Sequence, residues 1–174
     1  MILSILHYPD SRLRTVAKEV DVVDDSVRVL VKNMFETMYQ APGIGLAATQ
    51  VDHHQRIIVI DISDERNQPL CLINPKIIEK DGEIDWEEGC LSVPDYYQCV
   101  KRANHIKVRA LNEQGEIFEI EADELLGVCI QHEIDHINGI LFIDYLSKTK
   151  KDMILRKIKK QKKEKNKQHN YEIS

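Results

Sequence analysis

The segment that most restricts the possible folds is residues 123–139, where an apolar helical pattern surrounds a polar pentad. Its apolar residues recur at spacings of three and four, which predicts a helix that begins after Asp123 and ends at Asn138-Gly139. These apolar positions are Leu125, Leu126, Cys129, Ile130, Ile134 and Ile137. The pentad His132-Glu133-Ile134-Asp135-His136 lies in the same helix, and buried polar groups require partners. The sequence therefore predicts a central helix around which the rest of the chain packs.

The patterns on either side predict an α+β fold with mostly antiparallel sheets around this pentad-bearing helix. Residues 24–39 predict an N-terminal amphipathic helix behind an Asp24-Asp25-Ser26 cap, and residues 145–165 predict a basic C-terminal helix. Strands are predicted at 56–61, 70–73, 106–111 and 117–121, the last two forming a hairpin. Asn74-Pro75 is expected to interrupt the second strand before Lys76. Because the strands come together rather than alternating with helices, a doubly wound fold is disfavoured.

The charge is distributed unevenly along the 174 residues, of which 43% are hydrophobic and 30% charged. Residues 1–147 carry 13 Lys and Arg against 26 Asp and Glu, whereas residues 148–174 carry 11 against 3. An acidic body disfavours nucleic-acid binding, so only the basic tail could contact phosphates. We expect a catalytic domain at 1–147 followed by a basic C-terminal helix or tail at 148–174. With no apolar run long enough for a membrane span, we expect a cytoplasmic protein without membrane contact.

The pentad has the spacing of a metal site. Two imidazoles four residues apart lie on one helix face, so His132 and His136 can bind one metal, and Glu133 can reach a metal-bound water as general base. The alternative is a polar helix face with two unrelated histidines. A catalytic site needs a third ligand, and Cys90 in Glu88-Gly89-Cys90-Leu91-Ser92 is the candidate, although a free cysteine is also a common core residue.

A second unusual segment is Gly43-Ile44-Gly45-Leu46-Ala47-Ala48, where small residues predict a close approach of the backbone to another group. It is not a nucleotide-binding loop, because no GxGxxG pattern follows. Gln50 closes the segment with a neutral amide that could donate a hydrogen bond to a developing oxyanion. The alternative for Gln50 is a surface side chain after a turn.

Three segments together resemble the signature motifs of the peptide deformylase family, in the order that the family has them. They are Gly43-Ile44-Gly45-Leu46-Ala47-Ala48-Thr49-Gln50, Glu88-Gly89-Cys90-Leu91-Ser92 and Gln131-His132-Glu133-Ile134-Asp135-His136. The resemblance covers residues 1–147 and leaves the tail outside. It implies a metal-dependent hydrolase that removes the N-formyl group from the initiator methionine of nascent polypeptides and releases formate.

The resemblance also implies roles for individual residues. Cys90, His132 and His136 would bind one divalent metal per chain, usually Fe²⁺ with Zn²⁺ as the alternative. Gln50 and the backbone N–H of Leu91 would hold the oxyanion, and Glu133 would transfer the proton. The methionine pocket is expected at Ile44, Leu125, Val128 and Cys129, for which the alternative is plain core. The backbone of Gly45 would pair with the substrate peptide as an added strand.

One position departs from the family. The family often has an arginine five residues after the motif serine, where this chain has Tyr97, which puts the peptide preference beyond methionine in doubt. Arg102 is the nearby cation that could replace that arginine. We expect Asp135 or backbone carbonyls to orient the two histidines.

Two other readings of the sequence stay open. An HExxH zinc endopeptidase would need a further His or Glu ligand downstream, but His169 is the only histidine after His136. A non-catalytic metal-binding module would complete the coordination of the metal with a fourth protein ligand. As partners we expect formyl-methionyl nascent peptides, and ribosome contact through the basic tail. We expect the protein to be a monomer.

Overall fold

The computed structural model describes the backbone of residues 1–173 and the side chains of residues 1–168. The side chain of His169 and the whole of Ser174, at the end of the predicted tail, lie outside the described residues. Two compact units can be distinguished, Met1–Phe142 and a second that starts at Ile143. Within the described residues, no helix combines the length and the apolar character that crossing a bilayer requires.

The first unit contains two α-helices and seven strands in its described residues. The helices are α1 (Asp25–Gln40) and α2 (Glu124–Ile137). The strands are β1 (Gly45–Ala47), β2 (Ile57–Ile60), β3 (Leu70–Asp81), β4 (Ile84–Cys90), β5 (Val93–Arg102), β6 (His105–Leu111) and β7 (Ile117–Asp123). The second unit contains α3 (Lys148–Ile173). The α+β class with antiparallel sheets is therefore confirmed.

All strand pairs are antiparallel, and they form two sheets. The larger sheet has the order β1-β2-β3-β6-β7, and the smaller consists of β4 and β5. Buried side chains form two apolar clusters, one that includes residues of α2 and one that includes residues of α1. Because β1 is the first strand in the order, its pairing with β2 leaves its other edge at the end of the sheet.

The helices follow the predicted patterns closely. Asp24 caps α1 by accepting a hydrogen bond from the Val27 N–H at 3.1 Å, which satisfies one of the free donors of the first turn. The second helix ends at Asn138, and Gly139 follows with φ of 76°, a conformation that favours glycine. The predicted N-terminal helix, the helix of residues 124–137 and the hairpin of β6 and β7 are confirmed.

One strand prediction was wrong, and two long strands were missed. Asn74-Pro75 does not interrupt the second strand, because β3 continues from Leu70 to Asp81. The pairing with β6 shifts register between Ile73 and Lys76, and Asn74 has φ of 51°, so a bulge accommodates the proline without ending the strand. Strands β4 and β5 were missed, because their charged residues and Pro94 hide the alternating pattern that usually marks a strand.

Candidate metal centre and substrate cleft

Three side chains with metal-binding atoms meet where the end of β4 faces α2. Cys90 Sγ lies 3.2 Å from His136 Nε2, which lies 3.2 Å from His132 Nε2. A tetrahedral ion with bonds of about 2.0 to 2.3 Å separates its ligands by about 3.3 to 3.7 Å, close to these distances. Within the part of the chain that the structure describes, this is the group of His, Cys and acidic side chains that could hold a metal. The three residues therefore fit a divalent cation.

The ring of His132 is oriented by Glu88, two residues before Cys90. His132 Nδ1 and Glu88 Oε1 are 2.8 Å apart. Burial alone would raise the pKa of Glu88, but hydrogen bonds from Arg102 and His132 outweigh it and hold the pKa below its ordinary value. An ionised Glu88 can only accept a hydrogen bond, so His132 donates from Nδ1. The Nε2 atom of His132 then has a lone pair, which faces the metal-binding atoms of Cys90 and His136.

The carboxylate of Glu88 is held in turn by Arg102. The guanidinium donates to both Glu88 oxygens, from Nε at 2.7 Å and from Nη2 at 2.8 Å, and its Nη1 donates to Asp135 at 2.6 Å. Arg102 is only 6% exposed. A bidentate pair of this kind is strong and directional, and the shared cation balances two carboxylates in a buried place. Glu88, Arg102, Asp135 and His132 are called the α2 charge network below.

Glu133 lies beside the three metal-binding side chains, and its carboxyl group is buried. Its side chain is 2% exposed, and burial raises its pKa to about 7. The nearby charge of His132 opposes this shift, while that of Glu88 adds to it. Its Oε1 is 4.0 Å from His136 Nε2. A carboxyl group with a pKa near neutrality can both accept and return a proton, which suits a general base and acid.

Gln50 and Leu91 also lie at this group. Gln50 is buried; its Nε2 donates to Ser92 Oγ at 3.0 Å and lies 3.7 Å from Cys90 Sγ. Its Oε1 accepts from the Ala47 N–H at 2.9 Å, so the amide faces the cysteine with its nitrogen. Leu91 directly follows Cys90 in the turn between β4 and β5. The structure therefore brings the amide nitrogen of Gln50 next to Cys90, and Leu91 is its neighbour in the chain.

An open cleft of about 870 Å³ leads to this group. Each residue predicted for substrate binding lines it, namely Ile44, Gly45, Leu125, Val128 and Cys129. Val128 and Cys129 are buried, and Ile44 is partly exposed. Helix α2 thus lines the cleft with apolar side chains beside His132 and Glu133, and Ile44 is a partly exposed residue of the lining.

Steric contacts with α2 explain why residue 45 is a glycine. A Cβ atom placed there would lie 2.7 Å from Glu133 Oε2 and 2.8 Å from Cys129 Sγ. Real Cβ contacts are longer than this, so another residue would push the helix side chains aside. The close approach predicted for this segment is therefore confirmed, and its partner is the pentad-bearing helix.

One sequence prediction about a neighbour of the site was wrong, and a second is corrected for His132. Arg102 does not replace the missing cation of the cleft, because it is buried in its pairs with Glu88 and Asp135. Asp135 binds Arg102, and the carboxylate on His132 belongs to Glu88. The only sequence signal for Glu88 is its place two residues before Cys90 in the same motif, because the register of β4 shifts between these two residues.

Tyr97 lies on β5 and lines the cleft. Its side chain is 63% exposed, and its ring packs on Gly89, where a Cβ atom would be 2.5 Å from Tyr97 Cε1. The ring therefore sits directly over the residue before Cys90.

Comparisons with known proteins agree on one family. The profile of the polypeptide deformylase family matches residues 2–152. The chain is 62% identical to the peptide deformylase of Pseudoalteromonas translucida, over 91% of this chain and 95% of the relative. It is 57% identical to that of Neisseria gonorrhoeae, over 93% and 97%.

Solved structures give the same result. A peptide deformylase from Legionella pneumophila superposes with a TM-score of 0.90 at 46% identity, covering 95% of this chain and 98% of that one. A peptide deformylase from Ehrlichia chaffeensis in complex with actinonin has a TM-score of 0.88 at 44% identity, covering 92% and 97%. This chain belongs to the polypeptide deformylase family, which consists of metal-dependent hydrolases that remove the N-formyl group from nascent peptides.

Proposed function

We propose that this chain hydrolyses the formyl amide of formyl-methionyl peptides at Cys90, His132 and His136, with Glu133 as the group that moves the proton. The observation that supports these roles best is the meeting of the metal-binding atoms of Cys90, His132 and His136, with the buried Glu133 carboxyl 4.0 Å from His136 Nε2. Helix α2 contributes three of these four residues and contacts strands of the larger sheet, so we place the centre of the site on this helix.

The donor set of one thiolate and two imidazoles suits several first-row divalent ions, and we propose Fe²⁺, with Zn²⁺ as the alternative. The chemistry that such an ion supplies when bound is polarisation of the formyl oxygen and of water. Glu88 holds His132 as the tautomer whose Nε2 is free to bind.

The remaining steps belong to the side chains of this protein. The Glu133 carboxylate accepts a proton as the water oxygen adds to the formyl carbon. Gln50 Nε2–H and the Leu91 N–H donate to the formyl oxygen as it gains negative charge. Glu133 then returns the proton to the amine nitrogen as the C–N bond breaks, which leaves formate and a free N-terminal amine.

The substrate is held on two sides. The apolar group of Ile44, Leu125, Val128 and Cys129 offers a place for the methionine side chain. Beyond the methionine, the free edge of β1 at Gly45 offers backbone N–H and C=O groups to an extended peptide. This mode of binding reads little of the sequence that follows methionine, as an enzyme for many nascent chains requires.

Formate release from formyl-Met-Ala-Ser tests this function, with protein prepared anaerobically and loaded with Fe²⁺ or, in parallel, with Zn²⁺. We expect release with formyl-Met-Ala-Ser and far slower hydrolysis of acetyl-Met-Ala-Ser, whose extra methyl group must fit beside Gly45. Folded, metal-loaded protein that releases no formate would contradict the proposal. Cleavage inside a peptide with blocked ends would instead indicate an endopeptidase.

Tyr97 is our proposed determinant of preference beyond the methionine. It presents an exposed ring to the cleft, where the family often has a cation. We expect Tyr97→Arg to favour peptides with acidic residues after the methionine, measured as kcat/KM across a charge series. Unchanged ratios would remove this role.

We also propose that residues 1–147 form the catalytic domain and that the tail of residues 148–174 contacts the ribosome. Its helix α3 carries exposed lysines in an excess of basic over acidic residues, which suits salt-sensitive binding to phosphates. Removal of 148–174 should abolish co-sedimentation with ribosomes at low salt while formate release persists. Equal co-sedimentation of the truncated protein would contradict the contact. Because the site is built within one chain, we propose a monomer, acting in the cytoplasm.

A further inference from the structure

The β1 side of the cleft is held from outside by a second buried polar cluster, centred on Asp61. This residue directly follows β2 and is fully buried. Its Oδ1 accepts from Ser63 N at 3.0 Å and Ser63 Oγ at 2.5 Å. Its Oδ2 accepts from the Tyr39 hydroxyl at 2.7 Å and from Gln68 N at 3.2 Å. One carboxylate thus closes the loop of residues 61–68 on itself and ties it to α1.

Arg66 projects from this loop toward the cleft wall. Its backbone has φ of 56°, in the left-handed region, and its Nη1 donates to the carbonyl oxygen of Gly43 at 2.5 Å. The guanidinium carbon lies 5.7 Å from the centre of the Tyr39 ring, within the range of a cation–π contact. Arg66, the residue of the loop with left-handed backbone, therefore holds the carbonyl group of Gly43, which lies just before β1.

Neighbouring backbone groups are held as well. The Gly43 N–H donates to the Met38 carbonyl at 2.8 Å, and the Ile44 carbonyl accepts from the Asp61 N–H at 2.9 Å. Gly43 also packs against the side chain of Leu91, since a Cβ atom there would lie 2.7 Å from Leu91 Cδ1. A shift of Gly43 would thus move the start of β1 and would also disturb the side chain of Leu91, the residue after Cys90.

The contacts of Tyr39 keep this arrangement intact near neutral pH. Burial, with the hydrogen bond to Asp61, raises the pKa of Tyr39 to about 12. The hydroxyl therefore stays protonated and continues to donate to Asp61. The side chain of Tyr39 thus supports Arg66 through its ring and Asp61 through its hydroxyl.

We propose that Arg66 is a positioning residue for the peptide substrate: through the Gly43 carbonyl it sets the place of the β1 edge, and so the affinity for residues after the methionine. This inference rests on the proposed function, because it takes the Gly45 edge as the surface that binds the peptide. Arg66 binds the Gly43 carbonyl and not Glu133 itself, so its removal is expected to change peptide binding more than the chemical step.

The test compares Arg66→Ala and Arg66→Lys in the full-length, metal-loaded protein. For Arg66→Ala we expect the KM for formyl-Met-Ala-Ser to rise severalfold and at most about tenfold, the limit set by one charge-assisted hydrogen bond, with kcat nearly unchanged. The KM for formyl-methionine amide, which lacks the following peptide, should change little. Arg66→Lys should recover part of the loss, because an ammonium can donate to Gly43 but cannot stack as a guanidinium does.

Arg109→Ala is the matched control. Arg109 donates to Glu119 on the exposed face of the β6–β7 pair, so this variant removes a guanidinium without touching the cleft. A fall of kcat on both substrates, or an unchanged KM for the tripeptide, would overturn the positioning role. Thermal unfolding and metal content of each variant separate these results from a general loss of structure.

Binding of the product Met-Ala-Ser, measured by calorimetry, gives the same comparison without turnover. We expect its Kd to rise about as much as the KM in Arg66→Ala and to stay unchanged in Arg109→Ala. A wild-type protein that binds Met-Ala-Ser but releases no formate would contradict the proposed function, while the two binding constants would still decide the role of Arg66. Equal Kd values for wild type and Arg66→Ala would overturn it.

Discussion

The two walls of the cleft are built by different means. On the α2 side, side chains carry out the interactions: Glu88, Arg102 and Asp135 form a buried set of charges that orients His132. On the β1 side, the residues that line the cleft are Gly43, Ile44 and Gly45. The polar side chains that support this wall, Asp61 and Arg66, lie behind its backbone. Catalysis requires charges at defined places, whereas binding of many peptides requires a backbone edge without side chains in the way.

The walls meet at Gly45, where the backbone of one touches the side chains of the other. The distances from a Cβ atom there, 2.7 Å to Glu133 and 2.8 Å to Cys129, leave no room for even one methyl group. The contact at Gly45 therefore fixes the distance between the wall that we propose for catalysis and the wall that we propose for peptide binding. Four changes, taken from the largest expected effect to the smallest, test that division.

Glu133→Gln tests whether the α2 wall supplies the chemistry. The amide keeps the size of the carboxyl but cannot accept the proton, so we expect kcat to fall about a thousandfold while metal content is retained. The exposed Glu116→Gln, in the turn between β6 and β7, is the control and should leave kcat unchanged. Retained turnover in Glu133→Gln would sink the assignment, and retained metal with lost turnover would exclude a non-catalytic binding module.

Arg102→Met tests whether the charge network holds this wall together. Removal of the cation shared by Glu88 and Asp135 leaves buried negative charge uncompensated, and we expect the free energy of unfolding to fall by about 3 to 5 kcal/mol. Arg109→Met removes an exposed pair with Glu119 and should lower it by less than about 1 kcal/mol. Denaturant unfolding measures both, and equal losses would mean that burial of the network adds nothing.

Gly45→Ala tests the contact between the walls. The added methyl group must displace Glu133 or Cys129, and we expect kcat/KM for formyl-Met-Ala-Ser to fall about 10- to 100-fold, as for other small misplacements of catalytic groups. The double variant with Cys129→Ala should recover part of this loss, because it removes the sulfur atom. Full activity of Gly45→Ala would show that the walls have room to separate.

Asp61→Asn tests the support behind the β1 wall through its pH dependence. Burial by itself would raise the pKa of Asp61, but hydrogen bonds from Ser63 and Tyr39 outweigh it and hold the pKa below 3.8. A lowered pKa means that the ionised group stabilises the fold above that value, and that this contribution is lost as the pH falls through the folded pKa.

At neutral pH we therefore expect Asp61→Asn to lower the free energy of unfolding by about 1 to 2 kcal/mol. The difference from wild type should shrink as the pH falls below the ordinary pKa of an aspartate, about 3.9, and should vanish as the pH passes the lower pKa of the folded Asp61. Unfolding curves at a series of pH values check this. A difference that stays constant down to the acid limit would mean that the charge of Asp61 is not what holds the loop.

Much of the fold could be predicted from local patterns. Helix α1 begins where the Asp24 cap and the apolar period place it, and β6 and β7 pair across the turn that Asn112 and Gly115 predict. Strands β4 and β5 could not be predicted in this way. Glu88 and Cys90 of β4 belong to the candidate metal centre, and the sequence there departs from the simple alternation of a half-buried strand.

The sequence by itself determined the helix of the pentad, the two histidines on one face of that helix, and a close backbone approach in the segment of residues 43–48. These features depend on spacing along one helix or on small residues in one short segment, so local geometry is enough to find them. The roles assigned to these residues remain predictions that the experiments above test.

Only the tertiary structure decided which partners the charged groups take. Arg102 pairs with Glu88 and Asp135, and Arg66 reaches Gly43 across 23 positions of the chain. Such pairs depend on how strands and loops from distant parts of the chain are brought together, and a buried charge accepts whichever opposite charge the fold places beside it. For this reason the candidate metal-binding group could be predicted from its motifs, whereas the supports of both walls could not.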